Sequence, residues 1–195
     1  MLENPNKELV ETYLTKFNND LRYNSGDKAI IKLFDKFPTN TNIEDIILKI
    51  SVINDLYSTN IFGTFKLAEH ILRIEIDKDL KTNNPNLVHK IATGHGIQLK
   101  KNNKEINFYS FATKYCNWHK KDFYPIYDLF VDKIIRQYRK QDNFYKFKNE
   151  ELKNYKKFIE IIENFKSYYN FSDFGLKEID KFLWIYGKEK FPTKY

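Results

Sequence analysis

Residues 110–131, SFATKYCNWHKKDFYPIYDLFV, contain a helix, a turn and the start of a second helix. The apolar and aromatic run over about 108–118 predicts the first helix, and it contains Lys114, whose ammonium is costly to bury. Pro125 biases the residues before it away from helix, and Asp128 precedes an apolar-periodic run, so it is a strong N-cap candidate. If the two helices pack across the turn, a half-buried amine and a helix-opening carboxylate converge.

Both residues also have a purely structural explanation. Lys114 can be a snorkelling lysine whose stem is packed and whose head lies in water, and Asp128 can be a helix cap alone. The chemical interpretation requires Lys114 and Asp128 to lie in one site. The neutral amine of a lysine is a nucleophile, burial favours that neutral form, and a nearby carboxylate is its electrostatic partner.

The composition indicates a folded and basic protein. Of the 195 residues, 42% are hydrophobic and 17% are aromatic, which excludes a disordered chain and is sufficient for a sizeable core. The formal net charge of +7 favours polyanionic partners, with nucleic acid first and an anionic membrane surface second. AT-rich coding alone would also enrich Lys, Asn, Ile and Tyr, so the basic excess has a compositional explanation as well.

Cysteine content and the N-terminus favour a cytoplasmic protein. Cys116 is the single cysteine, which excludes an internal disulfide framework and fits a reducing compartment. No apolar run is long enough to span a bilayer, and the N-terminal MLENPNKE is acidic where a signal peptide is basic. We therefore expect a monomer without a membrane partner or cofactor. No metal is expected either, since metal-ligand spacing is absent among His70, His89, His95 and His119.

Apolar residues recur at helical spacing along most of the chain. Asn24-Ser25-Gly26 is expected to end the first helix, and residues 94–107 alternate weakly around a basic turn, which allows one small β-hairpin. We predict a compact all-α domain over 1–195, with two intimately packed lobes as the alternative. The predicted helices cover 7–23, a short segment that ends at Pro38, 43–57, about 62–72, a segment with Leu87, Val88 and Ile91, 108–118, 129–140, 149–169 and 176–187.

The order of lysine, loop and Pro-x-x-Asp helix start resembles the helix-hairpin-helix base-excision DNA glycosylases, most closely the 8-oxoguanine DNA glycosylase branch. This similarity covers about 105–135. SFATKYCNWH and YPIYD are also similar to a group of uncharacterised bacterial proteins regarded as 8-oxoguanine-glycosylase-like, as are INDLYSTNI at 53–61 and KEIDKFLWIYGK at 177–188. The second similarity covers most of 45–190. The resemblance implies an all-α fold of the helix-hairpin-helix type.

The resemblance also implies a reaction. Lys114 would attack the sugar C1′ of the target nucleotide, and Asp128 would be the catalytic carboxylate. Base excision passes through an oxocarbenium-like sugar that a carboxylate stabilises, and a lysine Schiff base permits strand scission by β-elimination. The implied protein is a DNA glycosylase of base-excision repair, with or without AP lyase activity, that removes a damaged or modified base from duplex DNA.

The DNA contacts follow from the same resemblance. The hairpin glycines of the usual L-P-G-x-G motif are absent, and residues 107–113 read NFYSFAT. The phosphate contact made by that glycine-rich backbone would therefore pass to the hydroxyls of Ser110 or Thr113. Trp118 or Tyr127 would stack on the flipped base, and His119 would bind phosphate or relay a proton unless it is a surface or capping histidine. The expected basic rim comprises Lys100, Lys101, Lys104, Lys120 and Lys121, with Arg136 and Arg139 as further candidates.

Two other functions stay open. The first is a non-catalytic nucleic-acid-binding module on the same scaffold, and the second is a protein-interaction or defence-system component whose basic surface is incidental. Salt dependence separates the second from the DNA-binding functions, because phosphate-dominated binding weakens steeply as salt rises. Borohydride trapping separates a glycosylase from a binding module, because it detects the Schiff base.

Overall fold

The computed structural model describes residues 1–192 and folds them into helices. Over this range the chain contains no β-strand, which confirms the all-α prediction. None of the helices in the same range has the length and apolar character needed to cross a membrane. The elements are α1 (Lys7–Asn19), α2 (Leu21–Lys36), α3 (Ile43–Tyr57), α4 (Thr64–Arg73), α5 (Asp77–Lys81), α6 (Asn86–Ala92), α7 (Tyr109–His119), α8 (Leu129–Asp142), a 3-10 helix (Asn149–Lys153), α9 (Tyr155–Tyr168) and α10 (Leu176–Lys190).

The chain divides into two compact units. The central unit is Ser25–Tyr124, and the terminal unit joins Met1–Asn24 to the segment that starts at Pro125. Each unit has its own buried apolar side chains, as expected for a chain of this length. The prediction of a single domain over 1–195, with two lobes as the alternative, stays a prediction.

The first helix ends earlier than its sequence indicates. α2 runs through Asn24-Ser25-Gly26, so the helix end predicted there was wrong. The break lies at Asp20, whose backbone is extended and whose Oδ1 accepts a hydrogen bond from the Tyr23 amide at 3.0 Å. Gly26 lies inside α2 beneath the side chain of Leu56. Tertiary packing therefore outweighs the low helix propensity of glycine at this position.

In the central unit, α7 packs against α3 and α6, and α3 packs against α4. The side chains of α7 are buried over the whole of residues 111–118, including three that are polar or charged. A helix that is buried on every face needs an internal partner for each polar group that it carries. The contacts of α7 therefore define both the core of this unit and its candidate site.

In the terminal unit, α10 packs against α1 and α8. Gly187 permits the close approach to α8, because a Cβ added here would lie 2.9 Å from the carbonyl oxygen of Phe130. The surrounding core is aromatic, and edge-to-face pairs of this kind add to the free energy of burial. Phe165 stands at its centre, in ring contact with Tyr138, Phe144, Tyr169 and Phe171.

The long helix predicted over 149–169 is interrupted. Its first turns are the 3-10 helix, and a new helix, α9, begins after Asn154. The Asn154 side chain accepts a hydrogen bond from the Lys157 amide at 3.2 Å, which is the usual role of asparagine at an N-cap. Helical periodicity continues across this cap, so the break was not visible in the apolar pattern.

The predicted β-hairpin is reduced to one antiparallel bridge between Gln98 and Glu105. Two backbone hydrogen bonds of 2.9 Å flank it, from Leu99 to Lys104 and from Ile106 to Ile97. We call residues 99–104 the basic turn. Its three lysines are exposed, as their position in a turn predicted: Lys100, Lys101 and Lys104.

A buried polar network, absent from the sequence predictions, lies in the core of the central unit. Lys49 of α3 is fully buried, and its ammonium has three oxygen acceptors. Its Nζ donates to the carbonyls of Phe37 at 3.2 Å and Thr39 at 2.8 Å. The third acceptor is Asn40 Oδ1 at 2.7 Å. Each of the three ammonium protons therefore has an acceptor, as a buried charge requires.

Asn40 is the hub of this network. Its Oδ1 also accepts from the hydroxyl of Tyr115 at 2.7 Å. Its Nδ2 donates to Asp77 Oδ1 at 2.6 Å and to His119 Nε2 at 3.2 Å, so the amide makes all four of its hydrogen bonds. Because Nε2 of His119 is an acceptor here, the proton of this imidazole is on Nδ1. The hub connects the loop after α2 with α3, α5 and α7.

The network has a defined charge state. Burial lowers the pKa of Lys49 to about 8, although the carboxylates of Asp77 and Asp45 act in the opposite direction. Burial, and then the charge of Lys49, lowers the pKa of His119 to about 3. Near neutral pH the network therefore holds an ammonium and a neutral imidazole.

We expect the titration of Lys49 to appear in the stability of the protein. Its pKa is about 8 in the folded chain and 10.5 in an unfolded one, so the unfolded state binds more protons between these values. Stability therefore rises with pH across this window, and Lys49→Met removes that rise. From about pH 8 to about pH 10, the free energy of unfolding of the wild type should gain roughly 2 kcal/mol relative to the variant.

Urea denaturation followed by circular dichroism measures this difference. Lys28→Met changes an exposed lysine of α2 and is the matched control. Its stability should depend on pH as that of the wild type does. Burial raises the pKa of Tyr115 and of Cys116, but their contribution is common to the three proteins and cancels. Parallel pH profiles for wild type and Lys49→Met would contradict the depressed pKa of Lys49.

Candidate functional site

The amine of Lys114 is held inside the central unit. The residue is 2% exposed, so its charged end is not directed into bulk water as in a snorkelling lysine. Its Nζ donates to Ser110 Oγ at 2.7 Å and lies 5.4 Å from the ring centroid of Tyr57. Ser110 precedes Lys114 by four residues on α7, a spacing that places both side chains on one face of the helix. The candidate nucleophile is therefore oriented by its own helix and by the end of α3.

Asp128 is the N-cap of α8, as predicted. Its Oδ1 accepts a hydrogen bond from the amide of Phe130 at 3.0 Å, in the first turn of the helix. Asp128 belongs to the terminal unit, whereas Lys114 belongs to the central unit. The convergence of the two side chains in one site therefore stays a prediction.

A second carboxylate, Asp132, follows one helical turn after Asp128 and is 5% exposed. It accepts from the hydroxyl of Tyr127 at 2.9 Å and forms a two-point ion pair with Arg136, with distances of 2.7 and 2.9 Å. Burial and this carboxylate raise the pKa of Tyr127. The sequence signal for the pair was the four-residue spacing of Asp and Arg on α8. The sequence predictions did not include Asp132.

These contacts bear on three residues predicted to meet DNA. The ring of Tyr127 is half-buried and packs edge-on against Phe158, with centroids 5.7 Å apart. Arg136 is committed to its ion pair with Asp132. Arg139 donates to the carbonyl of Phe147 at 2.6 Å and lies over its ring. Structural roles are therefore favoured for Tyr127, Arg136 and Arg139.

Three further predicted DNA contacts lie in or near the core of the central unit. Thr113 is fully buried, and its hydroxyl donates to the Ser110 carbonyl at 2.9 Å. Trp118 is 3% exposed. His119 accepts a hydrogen bond from Asn40 in the buried network, an internal role that was not among the predictions for this residue. Their burial favours a core role for these side chains over direct contact with a phosphate or a base.

The remaining predicted contacts reach the surface. Ser110 is partly exposed, although its hydroxyl also receives the Lys114 amine. Lys120 is exposed immediately after α7, and the ammonium of Lys121 lies 5.2 Å from the ring centroid of Trp118. Together with the three lysines of the basic turn, these residues are the accessible part of the predicted interface.

The loop between α3 and α4 presents an aromatic side chain to solvent. Phe62 is 88% exposed, whereas its neighbour Ile61 is 3% exposed and anchors the loop. The side chain of Asn54 accepts from the Thr59 hydroxyl at 3.0 Å and from the Ile61 amide at 2.8 Å. Asn60 adopts a left-handed backbone with φ of 57°. We call residues 58–63 the Phe62 loop, and its backbone is fixed by these bonds.

The Phe62 loop packs against the base of the basic turn. A Cβ added to Gly63 would lie 2.8 Å from Ile97 Cδ1, so any other residue here would displace the end of the Ile97 side chain. The sequence pattern assigned Phe62 and Phe65 to the apolar face of a helix, but both are exposed, Phe65 at 58%. Exposed aromatic rings beside lysines are typical of surfaces that bind single-stranded or flipped bases.

The backbone at 94–96 holds an internal carboxylate. The amides of Gly94 and Gly96 donate to Glu105 at 3.1 and 2.8 Å, and these two bonds lower the pKa of Glu105. Both glycines have positive φ values, of 79° and 70°, which favour glycine over other residues. The carboxylate of Glu105 therefore accepts from the two amides that could otherwise bind an anion. These bonds also hold the segment that follows the basic turn against residues 94–96. Among residues 1–192, no group of three or more His, Cys, Asp and Glu side chains is arranged to hold a metal ion.

Comparison with known proteins gives a family but no activity. Residues 9–123 match the family model HI_0787_N, which is described as an N-terminal domain. The chain is 42% identical over 154 residues to an uncharacterized protein of Haemophilus influenzae, an alignment that covers 78% of this chain and 71% of the relative. No solved structure matches. The family match includes Lys114 and ends before Asp128.

Proposed function

The chain belongs to the HI_0787_N family, and we propose that it is a DNA glycosylase that uses Lys114 as its nucleophile. The observation that carries the proposal is the 2% exposed amine, held by the hydroxyl of Ser110 beside the ring of Tyr57. Burying and ordering a lysine costs free energy, and an oriented amine is what nucleophilic catalysis by lysine requires. The resemblance of residues 105–135 to 8-oxoguanine DNA glycosylases supports the same function.

The proposed reaction begins with the unprotonated amine. The Nζ lone pair of Lys114 forms a bond to C1′, and the bond from C1′ to the base breaks, with its electron pair leaving on the base. The base gains a proton and the amine loses one. The nitrogen lone pair then forms the double bond to C1′ as the bond from C1′ to the ring oxygen breaks, and that oxygen keeps the electron pair and gains a proton. The product is a protonated Schiff base, from which β-elimination can cut the strand. While the bond from C1′ to the base breaks, positive charge develops on the sugar, and the carboxylate of Asp128 stabilises it.

The proposed partner is duplex DNA that carries a damaged or modified base. The basic turn supplies phosphate contacts, since Lys100, Lys101 and Lys104 are exposed beside the Phe62 loop. Lys120 and Lys121, which follow α7, are further phosphate contacts in this proposal. We propose that the protein acts in the cytoplasm as a monomer in base-excision repair and needs no cofactor.

A non-catalytic nucleic-acid-binding module is the second candidate. It is favoured by the Phe62 loop and the basic turn, which form an exposed aromatic and basic surface without any need for Lys114. It also agrees with the absence of the hairpin glycines at residues 107–113. The two candidates differ in one chemical property, the formation of a covalent bond between the amine and the sugar.

We expect Lys114 to form a covalent adduct with DNA. Duplexes that carry 8-oxoguanine, uracil, an alkylated purine or an abasic site are incubated with the protein and sodium borohydride, which reduces a Schiff base to a stable bond. At least one duplex should give a protein–DNA adduct that migrates more slowly on a denaturing gel. Lys114→Gln should lower the adduct yield by roughly a hundredfold or more, because no other amine is oriented in its place.

Lys28→Gln is the matched control, since Lys28 is an exposed lysine of the same unit and its variant should trap like the wild type. An adduct that survives in Lys114→Gln would assign the chemistry to another amine. Tight binding of the wild type to all duplexes without any adduct would favour the binding module over the glycosylase.

Asp128→Asn should separate the cap of α8 from catalysis. Asparagine caps helices about as well as aspartate, so the melting temperature and the affinity for DNA should stay near those of the wild type. A neutral amide cannot stabilise a positive sugar as a carboxylate does. We therefore expect the single-turnover excision rate to fall by roughly a hundredfold.

Asp128→Ala is the companion variant, because it removes the cap as well. It should lose about 1 kcal/mol of stability in addition to the loss of rate. Excision at the wild-type rate by Asp128→Asn would reduce Asp128 to a structural residue.

The basic turn should dominate the salt dependence of DNA binding. The triple variant Lys100→Glu, Lys101→Glu, Lys104→Glu should bind duplex DNA more weakly, and the slope of log K against log salt should flatten by about 3 if each lysine meets one phosphate. The measurement is fluorescence anisotropy over a range of salt concentrations. The control replaces three exposed lysines of α2 by glutamate, so that its net charge changes by the same amount: Lys28, Lys32 and Lys36. Equal effects in both triple variants would attribute the binding to net charge alone.

A further inference from the structure

We propose that Ser110 and Tyr57 are positioning residues for the amine of Lys114, and that they hold it in one direction before DNA arrives. The catalytic part of this inference rests on the proposed function. The structural part does not, because both contacts are made within the central unit.

The hydroxyl of Ser110 suits an amine that changes its protonation state. It accepts from Lys114 Nζ at 2.7 Å, as the ammonium requires. A serine hydroxyl can also donate, so the same oxygen can turn its proton toward the amine once that amine is neutral. The lysine stem then keeps its direction through the loss of the proton. Thr113 reinforces the first turn of α7, because its hydroxyl donates to the carbonyl of Ser110.

Tyr57 presents the face of its ring to the amine. Its ring centroid lies 5.4 Å from Lys114 Nζ, within the range in which a cation is attracted to an aromatic face. The same face would attract the protonated Schiff base, which is also a cation. Tyr57 is the last residue of α3, and the left-handed C-cap Ser58 begins the Phe62 loop that Asn54 fixes. The position of the ring is therefore set by a loop with a fixed backbone.

These restraints should act on the chemical step rather than on DNA affinity. A free lysine stem samples many rotamers, and holding it near its attacking direction removes this entropy cost from the reaction. Without Ser110 Oγ or the Tyr57 ring, DNA would still bind, but the amine would be aimed correctly for a smaller fraction of the time.

The first test needs no DNA and no activity. The wild type, Ser110→Ala and Tyr57→Leu are acetylated briefly with an activated acetate ester, and the labelling of each lysine is quantified by peptide mass spectrometry. Lys114 should be labelled roughly tenfold faster or more in Ser110→Ala, the effect of one lost hydrogen bond to a charged group. In Tyr57→Leu the lost cation–π contact should make the labelling roughly fivefold faster. Labelling of the exposed Lys28 should be the same in all three proteins. Unchanged labelling of Lys114 would overturn the positioning role.

The second test uses single-turnover borohydride trapping beside DNA affinity. Ser110→Ala should trap roughly tenfold more slowly and lose less in affinity than in trapping rate, and Ser110→Thr should recover most of the rate because it keeps the hydroxyl. Tyr57→Phe should retain more activity than Tyr57→Leu because it keeps the ring face. If Ser110→Ala or Tyr57→Leu does not fold, the comparison of Ser110→Thr and Tyr57→Phe with the wild type still tests the proposal.

The outcomes separate the two proposals. Faster labelling of Lys114 in the variants, with no adduct from any wild-type reaction, would overturn the proposed function and leave the positioning role standing. An equal loss of affinity and trapping rate in Ser110→Ala would instead make Ser110 a DNA contact and overturn the positioning role.

Discussion

The burial of α7 is the constraint on which the rest of the central unit depends. Residues 111–118 of this helix are all buried, so its polar side chains must find partners inside the protein. Asn40 satisfies Tyr115 and His119 on one side of the helix, and Asn117 donates to the carbonyl of Tyr124 at 2.7 Å. A change of register of α7 would break all of these bonds together. The direction of Lys114 follows from the same register.

The two buried lysines of this unit differ in what surrounds the amine. Lys49 donates to two backbone carbonyls and an amide oxygen, which can only accept. A neutral Lys49 would lose part of this bonding, so the network stabilises the ammonium against the effect of burial. Lys114 meets the hydroxyl of Ser110, which can serve either protonation state. Lys49 therefore has a structural role in the Asn40 network, and the proposed nucleophile is Lys114.

Local features could be predicted from the sequence, whereas features formed by distant residues could not. α7, α8 and the Asp128 cap follow from helical periodicity and from the residue that opens a helix. The Asn40 network joins residues 37 and 79 positions apart, and asparagine in a turn has no pattern that announces such contacts. Its one available signal was Lys49, a charged residue within the buried face of α3. Phe62 was assigned to an apolar helix face because periodicity cannot tell an outward ring from a core ring.

The Phe62 loop is also relevant to the origin of the basic charge. A coding bias toward lysine would place these residues without regard to their neighbours, and it offers no reason to expose a phenylalanine. Leaving that ring in water forgoes about 2 kcal/mol of burial. Asn54 nevertheless fixes the loop, and Gly63 brings it against Ile97 at the base of the basic turn. An aromatic ring on a fixed loop beside exposed lysines can stack on a base while the lysines meet phosphates. The proposed nucleic-acid partner would account for both the charge and the exposed ring, whereas coding bias accounts for the charge alone.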